Sequence, residues 1–319
     1  MENHTKYNEL IYAKKEDKLY VNLFIPSEVN WEEKNATLTQ KTNFPEEALT
    51  ELIWNSKKKT KATLMLRYPQ WVNAGELKVY VNDKLEKIDA TPGSYVSLER
   101  KWKNGDRIKM ELPMHLSLEE LPDDSGYVSV KYGPIVLAAV TGDANQDGLF
   151  ADDSRGGHIA DGPFLPLTEA PMFLTKDGED LLNEIKPVEG EPLHFTAPGL
   201  FYPEKYSDLV LQPFYKIHEK RYSIYFKKQT PEALAEEQRK LEEKQKAEAY
   251  LREITLDFVA PGEQQPESDH GILSENSNSG LNQNKHWRDA TGWFSYDLRN
   301  KEAKAKTLRV TYFGKDAGR

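Results

Sequence analysis

The chain contains no cysteine, so disulfides, thiolate metal ligands and a cysteine nucleophile are excluded within it. Nor is there an excess of positive charge. Lys and Arg number 43 against 52 Asp and Glu, for a net charge of -9. The broad basic footprint that binds nucleic acid or anionic lipid is therefore missing, and neutral ligands such as glycans fit better. No apolar run approaches the roughly 18 residues of a membrane span. The opening stretch MENHTKYNELIYAKKED has no apolar core of a signal peptide; read literally, that is a cytoplasmic protein. Also missing are a Gly-rich phosphate loop after a strand, a nucleophile elbow, an HExxH pair and any internal repeat.

What is present points to β structure. The 319 residues suffice for two or three domains at roughly 100–200 residues each. A mean hydropathy of -0.74 favours small domains with much polar surface over one large core. Sixteen Tyr, 12 Phe and 6 Trp argue against disorder. Residues 2–13 read as a short amphipathic helix carrying Tyr7, Leu10, Ile11 and Tyr12 on one face. From Leu19 the period becomes two: Leu19, Val21, Leu23 and Ile25 alternate with Tyr20, Asn22 and Phe24 up to Pro26. The same alternation recurs at Ala62, Leu64, Leu66 and Tyr68, at Leu77, Val79 and Val81, and at Ile108, Met110 and Leu112. Turn signals at Asn82-Asp83, Pro92-Gly93 and Asn104-Gly105-Asp106 separate these runs, as in an antiparallel sandwich.

A second β-rich block opens with YVSVKYGPIVLAAV, which reads as one central strand buried on both sides. The Gly- and Asp-rich loop GDANQDGLFADDSRGGHIADGP follows, then short strands ending at RYSIYF. One long helix is predicted over about 230–252, with Thr230 as N-cap and Pro231 at the first helical position. Its apolar stripe (Leu234, Leu241, Tyr250, Leu251) is thin, which makes it a solvated connector. A third block is expected to run as a strand from about Ile254, a polar Ser/Asn/Gly loop, WFSYDL, and a last strand in TLRVTYF.

Three clusters offer chemistry, each beside a plainer reading. Asp152, Asp153, Arg155, His158 and Asp161 in the long loop are suited to a cation or to sugar hydroxyls, or simply to turn geometry. GEQQPESDH supplies Glu263, Glu267, Asp269 and His270, groups capable of acid–base work if two carboxylates face each other, or a polar connecting loop. HWRDATGWFSYDL offers Trp287 and Trp293 as stacking platforms, although alternation sets Trp293 and Ser295 opposite Phe294 and Tyr296, so that one pair is core.

Several stretches together resemble one family. MENHTKYNELIYAKKEDKLYVNLFIPSEVNW, LRYPQWV, VNDK, PGSYVSLERKWKNGDRIKMELPM and YVSVKYGPIVLAA resemble the C-terminal half of glycoside hydrolase family 127-like, β-L-arabinofuranosidase-like proteins. GLFADDSRGGHIADG, GEQQPESDH, HWRDATGWFSYDL and VTYFGKDAGR resemble extra C-terminal modules of such proteins. The resemblance implies an (α/α)6 barrel before the β-sandwiches, zinc and a cysteine nucleophile in that barrel, and a secreted or periplasmic parent. It also implies that Met1 is internal, that the chain is a fragment, and that its partner is the catalytic barrel of the same polypeptide. None of the family's catalytic residues falls on a position of this sequence, so no cofactor is expected in this chain.

The expected architecture is mainly β, with tandem antiparallel β-sandwiches. Residues 1–17 are the remnant of a final barrel helix, 18–120 the first sandwich and 121–228 the second. A linker helix at 229–252 precedes a partial jelly-roll-like module at 253–319. The expected role is non-catalytic support of a glycoside hydrolase, with glycan binding or carboxylate-based hydrolysis as alternatives.

Overall fold

A computed structural model describes residues 6–144, 146, 169–176, 180–282 and 285–312. The chain divides into two compact units, Met1–Leu234 and Ala235–Arg319. It is mainly β, as the alternation implies.

The first unit begins with α1 (Tyr7–Ile11) and ten strands: β1 (Tyr12–Lys15), β2 (Lys18–Val21), β3 (Ser27–Trp31), β4 (Ala36–Lys41), β5 (Leu49–Ser56), β6 (Thr60–Arg67), β7 (Lys78–Val81), β8 (Lys84–Leu85), β9 (Tyr95–Trp102) and β10 (Asp106–Glu111). They form a four-stranded sheet, β1-β2-β6-β9, and a six-stranded sheet, β3-β4-β5-β10-β7-β8. Inward residues of both sheets share one core, from Leu19, Leu64 and Leu98 on the first to Leu52, Val79 and Ile108 on the second. That common core makes the pair a two-layer sandwich. At its centre Trp54 stacks on Trp102 with ring centroids 6.0 Å apart, and Trp31 meets Trp54 edge-on.

A second core gathers Met114, Val130, Leu137, Phe173, Phe201 and Phe226 with their neighbours. Its strands are β11 (Leu116–Glu120), β12 (Tyr127–Tyr132), β13 (Ile135–Gly142), β14 (Met172–Leu174), β15 (Lys186–Pro187), β16 (Phe195–Thr196), β17 (Phe201–Tyr202), β18 (Val210–Pro213), β19 (Arg221–Ser223) and β20 (Phe226–Gln229), with the one-turn α2 (Leu181–Glu184) between β14 and β15. Phe44 and Trp71, stacked at 5.7 Å, pack against both cores. The ladders are antiparallel except for β2 on β6 and β14 on β20.

The structure corrects several sequence readings. The N-terminal helix stops at Ile11, and Tyr12 and Ala13 begin β1, because Asn22 ties to the carbonyls of Leu10 and Ile11 and draws β2 alongside. Alternation also breaks after Val21. Phe24 is buried against Phe44 while Ile25 is exposed, so the Leu23–Ile25 face is not the inner one. YVSVKYGPIVLAAV is two strands, with Tyr132 paired to Ile135 across a Gly133-Pro134 turn. Gly133 has φ +57° and a Cβ there would lie 2.6 Å from Met114 Cγ, so the turn needs glycine twice over. The two-sided burial inferred for this stretch holds at Val128–Val130 and Leu137–Ala139.

The long helix α3 spans Pro231–Ile254 and none of its residues is buried. Thr230 Oγ1 accepts from Ala233 N at 3.2 Å, the cap the sequence predicts. Same-face pairs such as Arg239 with Glu236 and Glu243 sustain its surface. Beyond it, the second unit holds α4 (Gln264–Asp269) and the hairpin β21 (Leu273–Asn282) and β22 (Lys285–Ser295). Here three expectations fail. No strand starts at Ile254, the polar SENSNSGLN is a strand and not a loop, and Leu308–Tyr312 pairs with nothing in a described ladder.

Candidate functional site

The GEQQPESDH segment is not a connecting loop, because its last six residues before His270 wind into α4. One helical turn then buries Glu267 and His270 while Glu263 and Asp269 stay at the surface. Glu267 receives four donors. Arg288 binds it with both arms, Nε to Oε1 at 2.5 Å and Nη2 to Oε2 at 2.6 Å. Tyr296 Oη and Gly262 N also donate to Oε1, each at 2.7 Å. Hydrogen bonds from Arg288 first, then from Gly262 and Tyr296, overcome burial and hold the carboxyl down at about 2. The Tyr296 phenol is pushed up to about 12, by burial and then by its bond to Glu267.

His270 completes the staple. Its Nδ1 lies 2.7 Å from Pro266 O and its Nε2 3.1 Å from Asp257 Oδ1, so both ring nitrogens face acceptors and both donate. The Asp257 bond raises the imidazole above its ordinary value. The carboxylate, with three donors on Oε1 and one on Oε2, ties α4 to the hairpin through Arg288, while the imidazole ties the end of α4 to Asp257. The Glu267 carboxyl, held at about 2, is not poised to exchange a proton near neutral pH.

Gly262 carries this arrangement locally. At φ +85° its N–H reaches Glu267, and a Cβ would stand 2.5 Å from the carbonyl oxygen of Trp287. Gly262→Ala is therefore expected to destabilise the second unit by at least about 1–2 kcal/mol, the usual left-handed penalty before any clash. Hydrogen exchange of the hairpin amides checks this, and unchanged protection would contradict it.

The predicted aromatics remain partly open: Trp287 is 38% exposed and Trp293 49%. Trp287 sits opposite Gly280, where a Cβ would come within 2.6 Å of its ring. Trp293 Nε1 donates to Glu275 across the hairpin at 3.3 Å. Phe294 and Tyr296 share a face with ring centroids 5.7 Å apart, but Phe294 is 38% exposed, so contrary to expectation neither aromatic face of this strand is core. Asp152, Asp153, Arg155, His158 and Asp161 lie outside the described residues.

A second feature, in the first unit, was missed. The turn at residues 43–48 is flanked by two open depressions. One, about 360 Å³, is lined by Pro45, Pro134, Ile135, Val136, Phe214 and Tyr215. The other, about 670 Å³, is lined in part by Glu46, His115, Tyr132, Glu191, His194 and Phe195. Tyr215 Oη donates to Glu46 Oε1 at 3.1 Å, and Lys216 Nζ reaches the same oxygen at 3.0 Å. Burial, then the Glu46 contact, pushes the Tyr215 phenol up to about 12, so it remains a neutral donor. The segment QPFYKIHEKRYSIYF is visibly aromatic, yet nothing in its pattern says which rings turn outward. Among the described residues no group of three or more His, Asp or Glu is placed to hold a metal ion. The chain has no cysteine to supply a thiolate ligand, so these residues do not fit a thiolate-bound zinc centre.

Three family models match consecutive stretches. Residues 18–114 match the middle domain of GH127 β-L-arabinofuranosidases. Residues 117–228 match a domain of unknown function (DUF4986), and residues 250–319 a family of unknown function (DUF6805). Among solved structures, the chain is similar to a GH127 β-L-arabinofuranosidase from Geobacillus stearothermophilus T6. Identity is 19% and the TM-score 0.45, covering 70% of this chain and 35% of that one. It is also similar to a protein described as a glycoside hydrolase (19% identity, TM-score 0.42, 68% and 37% covered). A GH127 β-arabinofuranosidase matches at 21% identity and TM-score 0.43, with 69% and 36% covered. The chain thus spans little more than a third of the length of these structures. No curated protein matches it.

Proposed function

We propose, for a chain that is GH127-like and carries that family's middle domain over residues 18–114, that it is the non-catalytic β-sandwich region of a glycoside hydrolase. In this reading it supports a catalytic (α/α)6 barrel of the same polypeptide and shapes the rim of the substrate pocket. Zinc and the nucleophile belong to that barrel, and the parent acts on arabinofuranosides of plant glycans.

The observation that carries the non-catalytic role is the engagement of Glu267 by Arg288, Tyr296 and Gly262. It and His270 are the buried acidic and basic side chains among the described residues; Glu267 Oε1 takes three donors and Oε2 one, and both ring nitrogens of His270 face protein acceptors. A general acid needs a raised carboxyl and a nucleophile needs a free one, and Glu267 offers neither.

The test is to incubate the purified chain with aryl β-L-arabinofuranosides, with and without added zinc. No turnover is expected. Turnover that disappears in Glu267→Gln would instead establish a hydrolase in its own right and end this reading. Sequencing the gene upstream of the Met1 codon provides an independent check. An open frame running into a helical barrel is expected, and a stop codon with a ribosome-binding site there would count against the supporting role.

A second reading has one observation behind it, the exposure of Trp287 and Trp293. A carbohydrate-binding module would use both rings to hold glycan. Unchanged glycan retention after replacing both with alanine would remove it.

A further inference from the structure

The seam between the first sandwich and the second sheet offers a stacking surface beside a polar cleft. Phe214 and Tyr215, 36% and 47% exposed, lie together beside Pro134, Ile135 and Val136 along one depression. Both rings are held in place. Phe214 packs against Tyr222 with centroids 4.9 Å apart, and Tyr215 is fixed through its hydroxyl to Glu46. Lys216 stands 5.6 Å from the centroid of the Tyr215 ring, and its charge is matched by Glu46.

On the other side of the 43–48 turn, the cleft collects hydrogen-bonding groups, of which His115 is already tied through Nε2 to Glu76 Oε2 at 2.5 Å. His194 bonds Pro192 O through Nδ1 only, and the Glu191 carboxylate makes no ion pair among the described residues. Tyr132 and Phe195, 5.0 Å apart, form part of its wall. The two depressions are neighbours, since Pro45 lines one and Glu46 the other, while Tyr132 and Pro134 do the same from the β12–β13 turn. Each falls within the roughly 300–1,000 Å³ range of small-molecule sites.

Rigid aromatic faces next to mixed donors and acceptors suit a ligand with apolar C–H faces and a rim of hydroxyls. An anion would meet a chain of net charge -9 whose lysine here is already paired. A second copy of the chain would need roughly 800 Å² of complementary surface per partner, far more than two rings and a few aliphatic side chains provide. We propose that this seam is a binding groove for a neutral oligosaccharide, with Phe214 and Tyr215 as the stacking platform and the cleft around His194 and Glu191 as the hydroxyl-reading end. This goes beyond the supporting role and does not depend on it, since a sandwich that buttresses a barrel need bind nothing.

The experiment is affinity electrophoresis of the whole chain through gels containing soluble arabinan, arabinoxylan or mixed-linkage β-glucan. Retardation by at least one polysaccharide is expected. The double variant F214A/Y215A should weaken it about ten-fold or more, as losing two stacked rings implies. Tyr215→Phe keeps the ring and should stay within about three-fold. H194A should weaken binding by several-fold, and W287A/W293A should leave it unchanged. The proposal fails if no polysaccharide retards the chain or if F214A/Y215A binds like the parent. It fails equally if retention is lost in W287A/W293A, which would place the glycan on the hairpin. None of these outcomes alters the turnover result on which the non-catalytic reading stands.

Discussion

Trp54→Ala is expected to destabilise the first sandwich by about 3–5 kcal/mol, the range for deleting a buried aromatic from a core that cannot collapse around it. The indole is fully buried on β5 and lies between two others, Trp102 stacked at 6.0 Å and Trp31 edge-on at 6.3 Å. Those partners cannot move inward freely. Trp102 is held through its Nε1, which donates to the carbonyl of Ala62 at 3.0 Å, and Trp31 pairs with Ala36 at the end of the β3–β4 ladder. The hydrogen bond lost is the smaller part: Ser56 Oγ gives up the Trp54 donor but still donates to Lys58 O at 2.9 Å. Trp54→Phe should lose only about 1–2 kcal/mol, since a ring still fills most of the space. Urea unfolding with hydrogen exchange on β4, β5 and β10 measures both. A loss under about 1 kcal/mol for the alanine variant would mean that the three indoles do not form a shared core. Domains commonly hold only about 5–15 kcal/mol, so the alanine chain should exchange rapidly even where it remains folded.

This core was legible because burial and strand period agree. Ala62, Leu64, Leu66 and Tyr68 were read inward from alternation alone, as were Leu77, Val79 and Val81 and Ile108, Met110 and Leu112, and all are buried. Legibility ends where a tertiary contact outweighs the local pattern. Phe24 turns inward because Phe44 is there to meet it, and Tyr12 leaves the predicted helix because β2 offers a ladder. SENSNSGLN has almost no strand character in composition, and only its partner strand reveals it. Trp287 lies opposite Gly280 and Trp293 opposite Glu275, so aromatic residues on one strand compensate for small and polar ones on the other.

The site was less legible still. Glu267 stood out as one of three acidic residues in a short segment, with nothing to separate it from Glu263 or Asp269. Its partners Arg288 and Tyr296 lie 21 and 29 residues further on, a separation that no spacing rule spans. The seam groove joins a turn at residues 43–48 to side chains near 115, 132, 191 and 215, so the pattern around any one of them cannot disclose the others.

Glu267→Ala is expected to cost the second unit about 3–5 kcal/mol, because it strands the Arg288 guanidinium in a place built for a partner. Arg288 is only 12% exposed, its Nη1 keeps a bond to Ser277 Oγ at 2.9 Å, and Tyr296 and Gly262 also lose their acceptor. Replacing Glu267 and Arg288 together by Met should recover much of the loss, since an empty ion-pair site is worse than an apolar one. Acid should act on the same bond. The folded carboxyl sits at about 2 against an ordinary 4.5, a lowered value, so its contribution is present above pH 4.5 and is lost as pH falls towards 2. At about 1.4 kcal/mol per pH unit, that contribution is about 3 kcal/mol. His270 has the opposite sign. Its imidazole is raised by Asp257, so its stabilisation is present below its ordinary 6.5 and fades as pH rises through the folded value. Protection of the β22 amides should therefore be greatest between about pH 4.5 and 6.5 and fall on both sides. Hydrogen exchange corrected for intrinsic pH dependence reads this directly. If the acid-side loss persists unchanged in the Glu267→Met, Arg288→Met chain, it belongs to other carboxylates and the ion pair is not what fastens α4 to the hairpin.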